Sequence, residues 1–385
     1  MIKASDFYLA LQRLGLNFFA GVPDSLLKDF CAYLSDNCAP QDHVICANEG
    51  NAIAMAAGVY LATGKPGLVY MQNSGLGNAS NPLLSLADKE VYAIPMLLMI
   101  GWRGEPGRKD EPQHVKQGRV QTALLDAMEI PYIVLDANVQ DYASVLTNAY
   151  QLTIETGNPV ALVVRKGTFE AYKSRQKSSC PTFEMTREAA LELILQKCGD
   201  YHIVSTTGKT SRELYELRIK RGEQPCDFLT VGSMGHSSSI AAGIALKGPD
   251  KLVICIDGDG AMLMHLGAMV VIGKLAPRNF IHILINNYCH ESVGGQATAG
   301  DSIDFANLAQ AIGYKHFLQA KSKAELTTAL DGLSAMKCPI LLEVIVQPGS
   351  RADLGRPQSS PAENCRAFMA KLDGDRRCST NQPQH

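Results

Sequence analysis

Short apolar runs that alternate with helical stretches are the feature of this sequence that most constrains its fold. The runs lie at residues 43–47, 67–71, 91–100, 132–135 and 160–164, and again at 202–205, 252–256, 280–285 and 340–346. Helical patterns separate several of them, at 50–63, 188–196, 237–246 and 261–275. Buried strands joined by helical crossovers form parallel sheets that carry helices on both faces. We therefore predict an α/β chain with two doubly wound parallel-sheet domains.

The composition changes between the two series of strands. Residues 165–186 are rich in Lys, Ser and Arg and have little apolar periodicity, which is typical of a linker. The 385 residues suffice for two domains at roughly 100–200 residues each. We predict a first domain at 1–170, a linker at 171–186, a second domain at 187–370, and a polar, frayed tail at 371–385.

Charge and cysteine content exclude several classes of protein. The formal net charge is -2, so the chain has no electrostatic footprint for nucleic acid. Its 11 cysteines include no C-x-x-C pair, which argues against a disulfide framework or a structural zinc site and favours a reducing cytoplasm. No apolar run is long enough to span a bilayer, and the N-terminus lacks a signal-peptide core. We expect a cytoplasmic protein with no membrane partner.

The strongest chemical signal lies at two strand ends in the second half. Residues Gly258, Asp259 and Gly260 follow one strand, and Asn286 and Asn287 end the next, with 25 residues between Gly260 and Asn286. Ligands of open α/β sheets bind at the carboxyl ends of strands. A carboxylate, an amide oxygen and a backbone carbonyl suit Mg²⁺, and the glycines let a phosphate approach the backbone. The helix that follows would direct its N–H groups at the anion. The alternative is a pair of tight turns without a ligand.

This spacing resembles the thiamine-diphosphate-binding motif. The resemblance implies that thiamine diphosphate binds with Mg²⁺, and that Asp259, Asn287 and the carbonyl of Cys289 hold the metal. It also implies the thiamine-diphosphate-binding fold for both domains, with a pyrimidine-binding domain at 1–170 and a diphosphate-binding domain at 187–370. In this family the cofactor lies between domains of different subunits, so we expect a homo-oligomer of at least two chains.

The family also needs a glutamate that bonds the aminopyrimidine ring, and Glu49 occupies the matching position between a strand and an Ala/Gly-rich helix. Apolar surroundings would favour its neutral form. Its alternative role is to stabilise the helix N-terminus. The remaining matches to cofactor-binding positions of the family are Asn73, Gly75, Thr207, Gly208, Gly232 and Met234. Met234 would hold the cofactor bent, or it is a core residue.

Five segments carry a narrower resemblance, at residues 21–30, 72–86, 101–114, 286–296 and 351–357. They are similar to the phosphonopyruvate decarboxylases, with the sulfopyruvate decarboxylases as near neighbours. The middle domain and the paired histidines of larger thiamine decarboxylases are absent from this sequence. The resemblance implies decarboxylation of 3-phosphonopyruvate to phosphonoacetaldehyde and CO₂ in phosphonate biosynthesis.

Basic side chains suit a small, doubly anionic 2-keto acid. Arg103, Arg108 and His114 fall on one loop after a strand, and Lys209 follows another strand. Arg and Lys bind phosphonates well, although such residues on loops are often only solvated. His290 is the second catalytic candidate, either for proton transfer or for binding the phosphonate. Its alternative is a polar loop histidine.

Other functions stay open at this stage. A nicotinamide dehydrogenase would use the glycine-rich stretch at 75–80, although this stretch has Ser80 where the dinucleotide fingerprint requires glycine. A non-catalytic subunit that keeps the fold is a second alternative. Sulfopyruvate decarboxylation and a related carboligase reaction are alternatives within the family.

Overall fold

The computed structural model describes residues 1–175, 183–248 and 251–380. These residues divide into two compact units. The first unit contains residues 1–175 and the loop His290–Gln296, and the second contains 183–289 and 297–380. Among the described residues, no helix combines the length and apolar character needed to cross a membrane.

The first unit is a six-stranded parallel sheet with helices between successive strands. Its strands are β1 (Phe19–Gly21), β2 (His43–Ile45), β3 (Leu68–Gln72), β4 (Leu97–Gly101), β5 (Tyr132–Leu135) and β6 (Val160–Val164). Its helices are α1 (Ala4–Arg13), α2 (Lys28–Asn37), α3 (Glu49–Thr63), α4 (Leu76–Pro82), α5 (Pro112–Ala127) and α6 (Tyr142–Thr156). The strand order is β2-β1-β3-β4-β6-β5, so the chain reverses its direction of winding between β1 and β3.

The second unit repeats this plan. Its strands are β7 (His202–Ser205), β8 (Phe228–Leu229), β9 (Val253–Gly258), β10 (Phe280–Asn286), β11 (His316–Ala320) and β12 (Ile340–Ile345). Its helices are α7 (Arg187–Cys198), α8 (Lys209–Lys220), α9 (Ser237–Lys247), α10 (Asp259–Met264), α11 (Gly267–Leu275), α12 (Phe305–Ala311), α13 (Lys323–Gly332) and α14 (Pro361–Thr380). Read from β8, the order β8-β7-β9-β10-β12-β11 matches that of the first sheet, and the winding reverses between β7 and β9.

Both sheets are buried on two faces, which explains their continuous apolar strands. Side chains of β4 alternate between the two clusters of the first unit, with Leu98 and Ile100 in one and Leu97 and Met99 in the other. In the second sheet, every residue of the central strand β10 is buried. Strands buried on both faces are mainly apolar because helices cover each side. Asp257 and His282 are buried polar exceptions in the second sheet. The predicted α/β fold with two parallel sheets is confirmed.

Three expectations about local structure need correction. The single helix expected at 261–275 is two helices, because the backbone leaves the helical region at His265 (φ -133°, ψ 47°). The strand expected at 91–100 begins only at Leu97, after a left-handed residue at Ala93 (φ 51°). The frayed tail expected at 371–385 is instead helical through Thr380, as part of α14. Phe368 and Leu372 of this helix pack in the core of the second unit. Residues 381–385 lie outside the described residues.

The linker expected at 171–186 begins as a segment attached to the first unit. The Tyr172 backbone N–H donates to Asp29 Oδ1 at 3.0 Å, and the Tyr172 hydroxyl donates to Asp36 Oδ2 at 3.0 Å. Residues 176–182 of the linker lie outside the described residues.

Candidate active site: two half-sites

The metal-binding candidates of the second unit meet at the ends of β9 and β10. These strands pair in parallel, with Gly258 opposite Ile285, so Asp259 and Asn287 leave the sheet side by side. The Asp259 carboxylate is only 3% exposed. It accepts hydrogen bonds from the backbone N–H groups of Gly260 and Asn287. The structure therefore brings the two predicted ligand side chains together.

Burial dominates the electrostatics of Asp259 and raises the pKa of its carboxyl to about 6, while hydrogen bonds from Thr298 and the backbone act in the opposite direction. The Thr298 hydroxyl donates to Asp259 Oδ2, and the Gly300 N–H donates to the Thr298 hydroxyl at 3.2 Å. A buried carboxylate of this kind needs a cation or several hydrogen bonds to stay ionised. A divalent cation at this position would supply that charge.

The chain turns sharply after Asn287. Tyr288 adopts a left-handed conformation (φ 57°), and the Cys289 N–H donates to Asn287 Oδ1 at 3.1 Å. Cys289 then forms an antiparallel bridge with Ala297. This turn keeps Asn287 and Cys289 buried, at 7% and 8% exposed.

The donors at this site fit a hard cation. The Asp259 carboxylate, the Asn287 amide and the Cys289 carbonyl offer oxygen ligands, which Mg²⁺ prefers. Gly300 keeps the space beside them open, because a Cβ there would lie 3.3 Å from Asp259 Oδ2 and 3.4 Å from Asn286 Oδ1. The residues present therefore fit the magnesium that the motif implies.

The loop that we predict to bind the diphosphate follows β7, at the point where the second sheet reverses its winding. Gly208 precedes the first turn of α8 and has φ +89°, a backbone conformation that favours glycine because it has no Cβ. The Thr207 hydroxyl donates to the Val231 carbonyl at 3.0 Å. The Thr207 hydroxyl proton is thus engaged, and the N-terminus of α8 follows this loop, where backbone N–H groups suit an anion. Lys209 begins α8 and is half-buried.

The segment that contains Gly232 and Met234 packs against the start of α10. Ser233 and Gly235 both have positive φ, at 53° and 85°. A Cβ on Gly235 would lie 2.7 Å from the Ala261 carbonyl oxygen, so glycine is required for this close approach. Met234 is half-buried between these two positions. The turn is thus fixed beside the Gly258–Asp259–Gly260 motif.

Glu49 is the centre of the half-site in the first unit. It begins α3, whose Asn48 cap accepts from the Gly50 N–H at 2.8 Å. The Glu49 side chain is 4% exposed, and Asn78 Nδ2 donates to its Oε2 at 2.8 Å. Burial raises the pKa of Glu49, although the Asn78 hydrogen bond acts in the opposite direction. The carboxyl is therefore held in one orientation and tends to keep its proton.

The predicted residues Asn73 and Gly75 lie in the turn between β3 and α4. A Cβ on Gly75 would lie 2.5 Å from Glu49 Oε1, so only glycine lets the turn approach this carboxyl. Asn73 is 1% exposed and donates through Nδ2 to the Arg103 carbonyl at 2.7 Å. The turn therefore joins Glu49 to the loop that carries the basic residues.

The structure separates the basic candidates of the first unit, because His114, expected on the same loop as Arg103 and Arg108, lies in the first turn of α5. Arg103 donates to both oxygens of Asp110, and Arg103 Nη1 donates to Ser25 Oγ at 2.9 Å. Burial opposes ionisation of Asp110, but the hydrogen bonds and charge of Arg103 lower its pKa to about 2. Arg108 is mostly exposed and pairs with Glu105 at 2.9 Å. Of these two arginines, Arg103 is the one held rigidly at the sheet end.

The two histidine candidates are both buried and favour the neutral form. Burial and then the charge of Arg103 lower the pKa of His114 to about 4. Burial alone lowers the pKa of His290 to about 4. The His290 backbone N–H donates to the Gln296 carbonyl at 2.7 Å, which closes the loop His290–Gln296. Neither ring carries a charge near neutral pH, so each would act as a neutral donor or acceptor.

Several residues of these half-sites have no local signal in the sequence. Thr298 contacts Asp259 across 39 positions of the chain, so only the fold brings the two near. Asn78 lies in the glycine-rich stretch, and its hydrogen bond with Glu49 follows from the placement of α4 beside α3.

Asp24 is a further buried carboxyl, which accepts a hydrogen bond from Gln72 Nε2 at 2.8 Å. The segment 21–30 carries part of the family resemblance, but its pattern does not single out the Asp24 carboxyl. Its contact with Gln72 joins positions 48 residues apart, so only the fold brings the two side chains together.

Comparison with known proteins now defines the class. Residues 3–130 match the N-terminal TPP-binding domain of thiamine pyrophosphate enzymes, and residues 206–344 match the C-terminal TPP-binding domain of the same enzymes. The first match contains Glu49 and the second contains Asp259 and Asn287.

Curated relatives match over nearly the whole chain. A phosphonopyruvate decarboxylase of Streptomyces viridochromogenes is 35% identical over 96% of this chain and 95% of its own length. One of Streptomyces hygroscopicus is 36% identical over 96% of this chain and 93% of its own length. A sulfopyruvate decarboxylase of Methanosarcina acetivorans is 29% identical over 94% of this chain and 96% of its own length. The chain belongs to the family of thiamine-pyrophosphate-dependent decarboxylases that contains these enzymes.

Proposed function

We propose that this chain decarboxylates 3-phosphonopyruvate to phosphonoacetaldehyde and CO₂ with thiamine diphosphate and Mg²⁺, as a cytoplasmic step of phosphonate biosynthesis. The observation that carries the proposal is the 35% and 36% identity to two phosphonopyruvate decarboxylases over 96% of the chain. Both half-sites support it, because each retains the polar groups that such an enzyme needs.

The second unit would hold the metal and the diphosphate. Asp259, Asn287 and the Cys289 carbonyl would bind the metal, and the loop of Thr207 and Gly208 would bind the diphosphate. When bound, the cofactor supplies an electron sink that lets a 2-keto acid lose CO₂.

Glycines and one apolar side chain complete this half-site. Gly258 and Gly260 leave the backbone open beside the anion. The carbonyl of Gly232 and the side chain of Met234 would orient the aminopyrimidine end.

Glu49 would hold a proton at the aminopyrimidine ring. Its raised pKa favours the protonated carboxyl, and Asn78 fixes the other oxygen by donating to it at 2.8 Å. A carboxyl that is both oriented and protonated can donate a hydrogen bond to a ring nitrogen. Asn73 and Gly75 support this arrangement from the neighbouring turn.

The substrate is a small dianion, and Arg103 is the basic residue best placed to bind it. It is held at the carboxyl end of β4 by Asp110, whereas Arg108 is mostly exposed. Part of the Arg103 donor capacity is used by Asp110 and Ser25, and the planar guanidinium retains further N–H groups for a phosphonate. His114, His290 and Lys209 are additional candidates.

The family arrangement also leads us to propose a homo-oligomer of at least two chains, in which domains of different subunits share a cofactor. Light scattering coupled to size exclusion tests this proposal. A monomer that keeps full activity would contradict it.

Sulfopyruvate decarboxylation is the second candidate function. It is favoured by one observation, the 29% identity to a sulfopyruvate decarboxylase over 96% of that enzyme. Turnover of phosphonopyruvate and sulfopyruvate, measured side by side as kcat/KM for CO₂ release, decides between them. We expect phosphonopyruvate to be preferred, and a preference for sulfopyruvate would reassign the substrate.

A further inference from the structure

Asp24 is a fully buried carboxyl for which the proposed function has no use. It is 0% exposed and lies three residues after β1 ends at Gly21. The winding of the first sheet reverses between β1 and β3, and Asp24 lies at this reversal. Open α/β sheets bind their ligands at such a point. A buried acid here is therefore placed to influence ligand binding.

The contacts of Asp24 are those of a carboxylate rather than a carboxylic acid. Gln72 Nε2 donates to Oδ1 at 2.8 Å, and the Leu26 N–H donates to Oδ2 at 3.0 Å. Burial raises the pKa of Asp24, while these hydrogen bonds and the charge of Arg103 act in the opposite direction. Both oxygens of Asp24 accept from N–H groups. An amide in place of this carboxylate would therefore put its own NH₂ group against another N–H donor.

Asp24 also connects three strand ends. Gln72 is the last residue of β3, and Gly101 is the last residue of β4. A Cβ on Gly101 would lie 2.1 Å from Asp24 Oδ2, so the carboxylate rests directly on this glycine. The loop after β1, the end of β3 and the end of β4 are thus held together by one side chain.

The residues on either side of this contact are polar groups that face the same region. Ser25 follows Asp24 directly and is half-buried. Arg103, two residues after Gly101, donates from Nη1 to Ser25 Oγ at 2.9 Å. The contacts of Asp24 hold the loop after β1, and they therefore also determine the position of the contact between Ser25 and Arg103.

We propose that Asp24 is a positioning residue that holds Ser25 and Arg103 in the geometry that binds the anionic group of the substrate. This inference rests on the proposed function, because it assigns the substrate's phosphonate or sulfonate to the end of the first sheet. A buried charge is costly unless hydrogen bonds compensate for it, and here those bonds organise the recognition loop.

The variant Asp24→Asn tests this role. Its amide would place an NH₂ group against either Gln72 Nε2 or the Leu26 N–H. Rotation of the Gln72 amide would break the bond that Ser74 Oγ donates to Gln72 Oε1 at 2.8 Å. We expect KM for phosphonopyruvate to rise by about tenfold or more, which is the scale of losing a charge-assisted hydrogen bond to the substrate. KM for pyruvate, which lacks the second anionic group, should change much less.

The double variant Asp24→Asn/Gln72→Glu exchanges the donor and the acceptor. The new amide at position 24 then donates to the new carboxylate at position 72, and the Ser74 hydroxyl still donates to that carboxylate. We expect KM of this variant for phosphonopyruvate to return close to the wild-type value. Glu155→Gln, an exposed acid on α6, is the matched control and should behave as wild type.

Binding of 3-phosphonopropionate, an inert dianion, is measured by calorimetry on the same proteins with cofactor and Mg²⁺ present. Weaker binding to Asp24→Asn and recovery in the double variant would support the inference. Unchanged binding in Asp24→Asn, equal losses for pyruvate and phosphonopyruvate, or unfolding of both variants would overturn it. A wild-type enzyme without turnover would refute the proposed function, while the binding series would still decide the role of Asp24.

Discussion

The substitution Gly75→Ala tests whether the orientation of Glu49 controls activity. The backbone at Gly75 has φ -69° and ψ -16°, which alanine adopts without strain. The obstacle is the side chain alone, because the new Cβ would lie 2.5 Å from Glu49 Oε1, 2.6 Å from Cγ and 2.7 Å from Cδ. These three contacts fall on the carboxyl group that we assign to the cofactor.

The magnitude follows from these distances. Ordinary contact begins at 3.4 Å, so the Glu49 carboxyl or the turn must move by about 0.9 Å. A displacement near 1 Å at a catalytic group lowers the rate by about 10²-fold. We therefore expect kcat to fall by about 100-fold while the chain stays folded.

Gly77→Ala is the matched control, because it adds the same methyl group two residues later on α4. Nothing lies within 4 Å of a Cβ at Gly77. Replacing a helical glycine should stabilise the fold by about 0.4–1 kcal/mol. The assay is steady-state CO₂ release together with a thermal melt. Equal activity of Gly75→Ala and Gly77→Ala would refute the assignment of Glu49.

Three further predictions concern charge and metal. Burial raises the pKa of Glu49, so the folded chain binds that proton more tightly and wild-type stability falls as pH rises from 4.5 through the raised pKa. Glu49→Gln removes this titration. In the cofactor-free protein, the melting temperature of the variant relative to wild type should therefore rise between pH 5 and pH 8. A difference that stays constant with pH would contradict the raised pKa of Glu49. Asp259→Asn should abolish Mn²⁺ binding seen by electron paramagnetic resonance without changing the circular dichroism spectrum, and retained binding would exclude Asp259 as a ligand. Arg103→Lys keeps the charge but loses the paired contact with Asp110, so KM for phosphonopyruvate should rise by about tenfold, as loss of a charge-assisted hydrogen bond worth about 1.5 kcal/mol implies. An unchanged KM would remove Arg103 from the substrate site.

The sequence predicted those parts of the fold that depend on continuous apolar runs. The strands at 132–135, 160–164 and 202–205 have the predicted bounds, because their apolar residues are grouped in short runs between helical patterns. Strand β1 was not predicted, since its three residues, Phe19–Gly21, are too short to show a period. The break at His265 was also missed, because the apolar helical pattern continues through it.

The site shows the same division between local and distant signals. Asp259 and Asn287 were predictable because each directly follows a strand, and neighbouring parallel strands end together. Thr298, which donates to Asp259, and Asp24, which contacts the end of β4, act through contacts between distant segments. No spacing rule identifies such partners until the sheet order is known.

The most direct test of the central claim is CO₂ release from phosphonopyruvate, sulfopyruvate and pyruvate, each with and without thiamine diphosphate and Mg²⁺. Wild type and Glu49→Gln are compared under the same conditions. We predict turnover of phosphonopyruvate that requires both cofactors, with the highest kcat/KM of the three substrates and a large loss in Glu49→Gln. Absence of cofactor-dependent CO₂ release from all three would contradict the account.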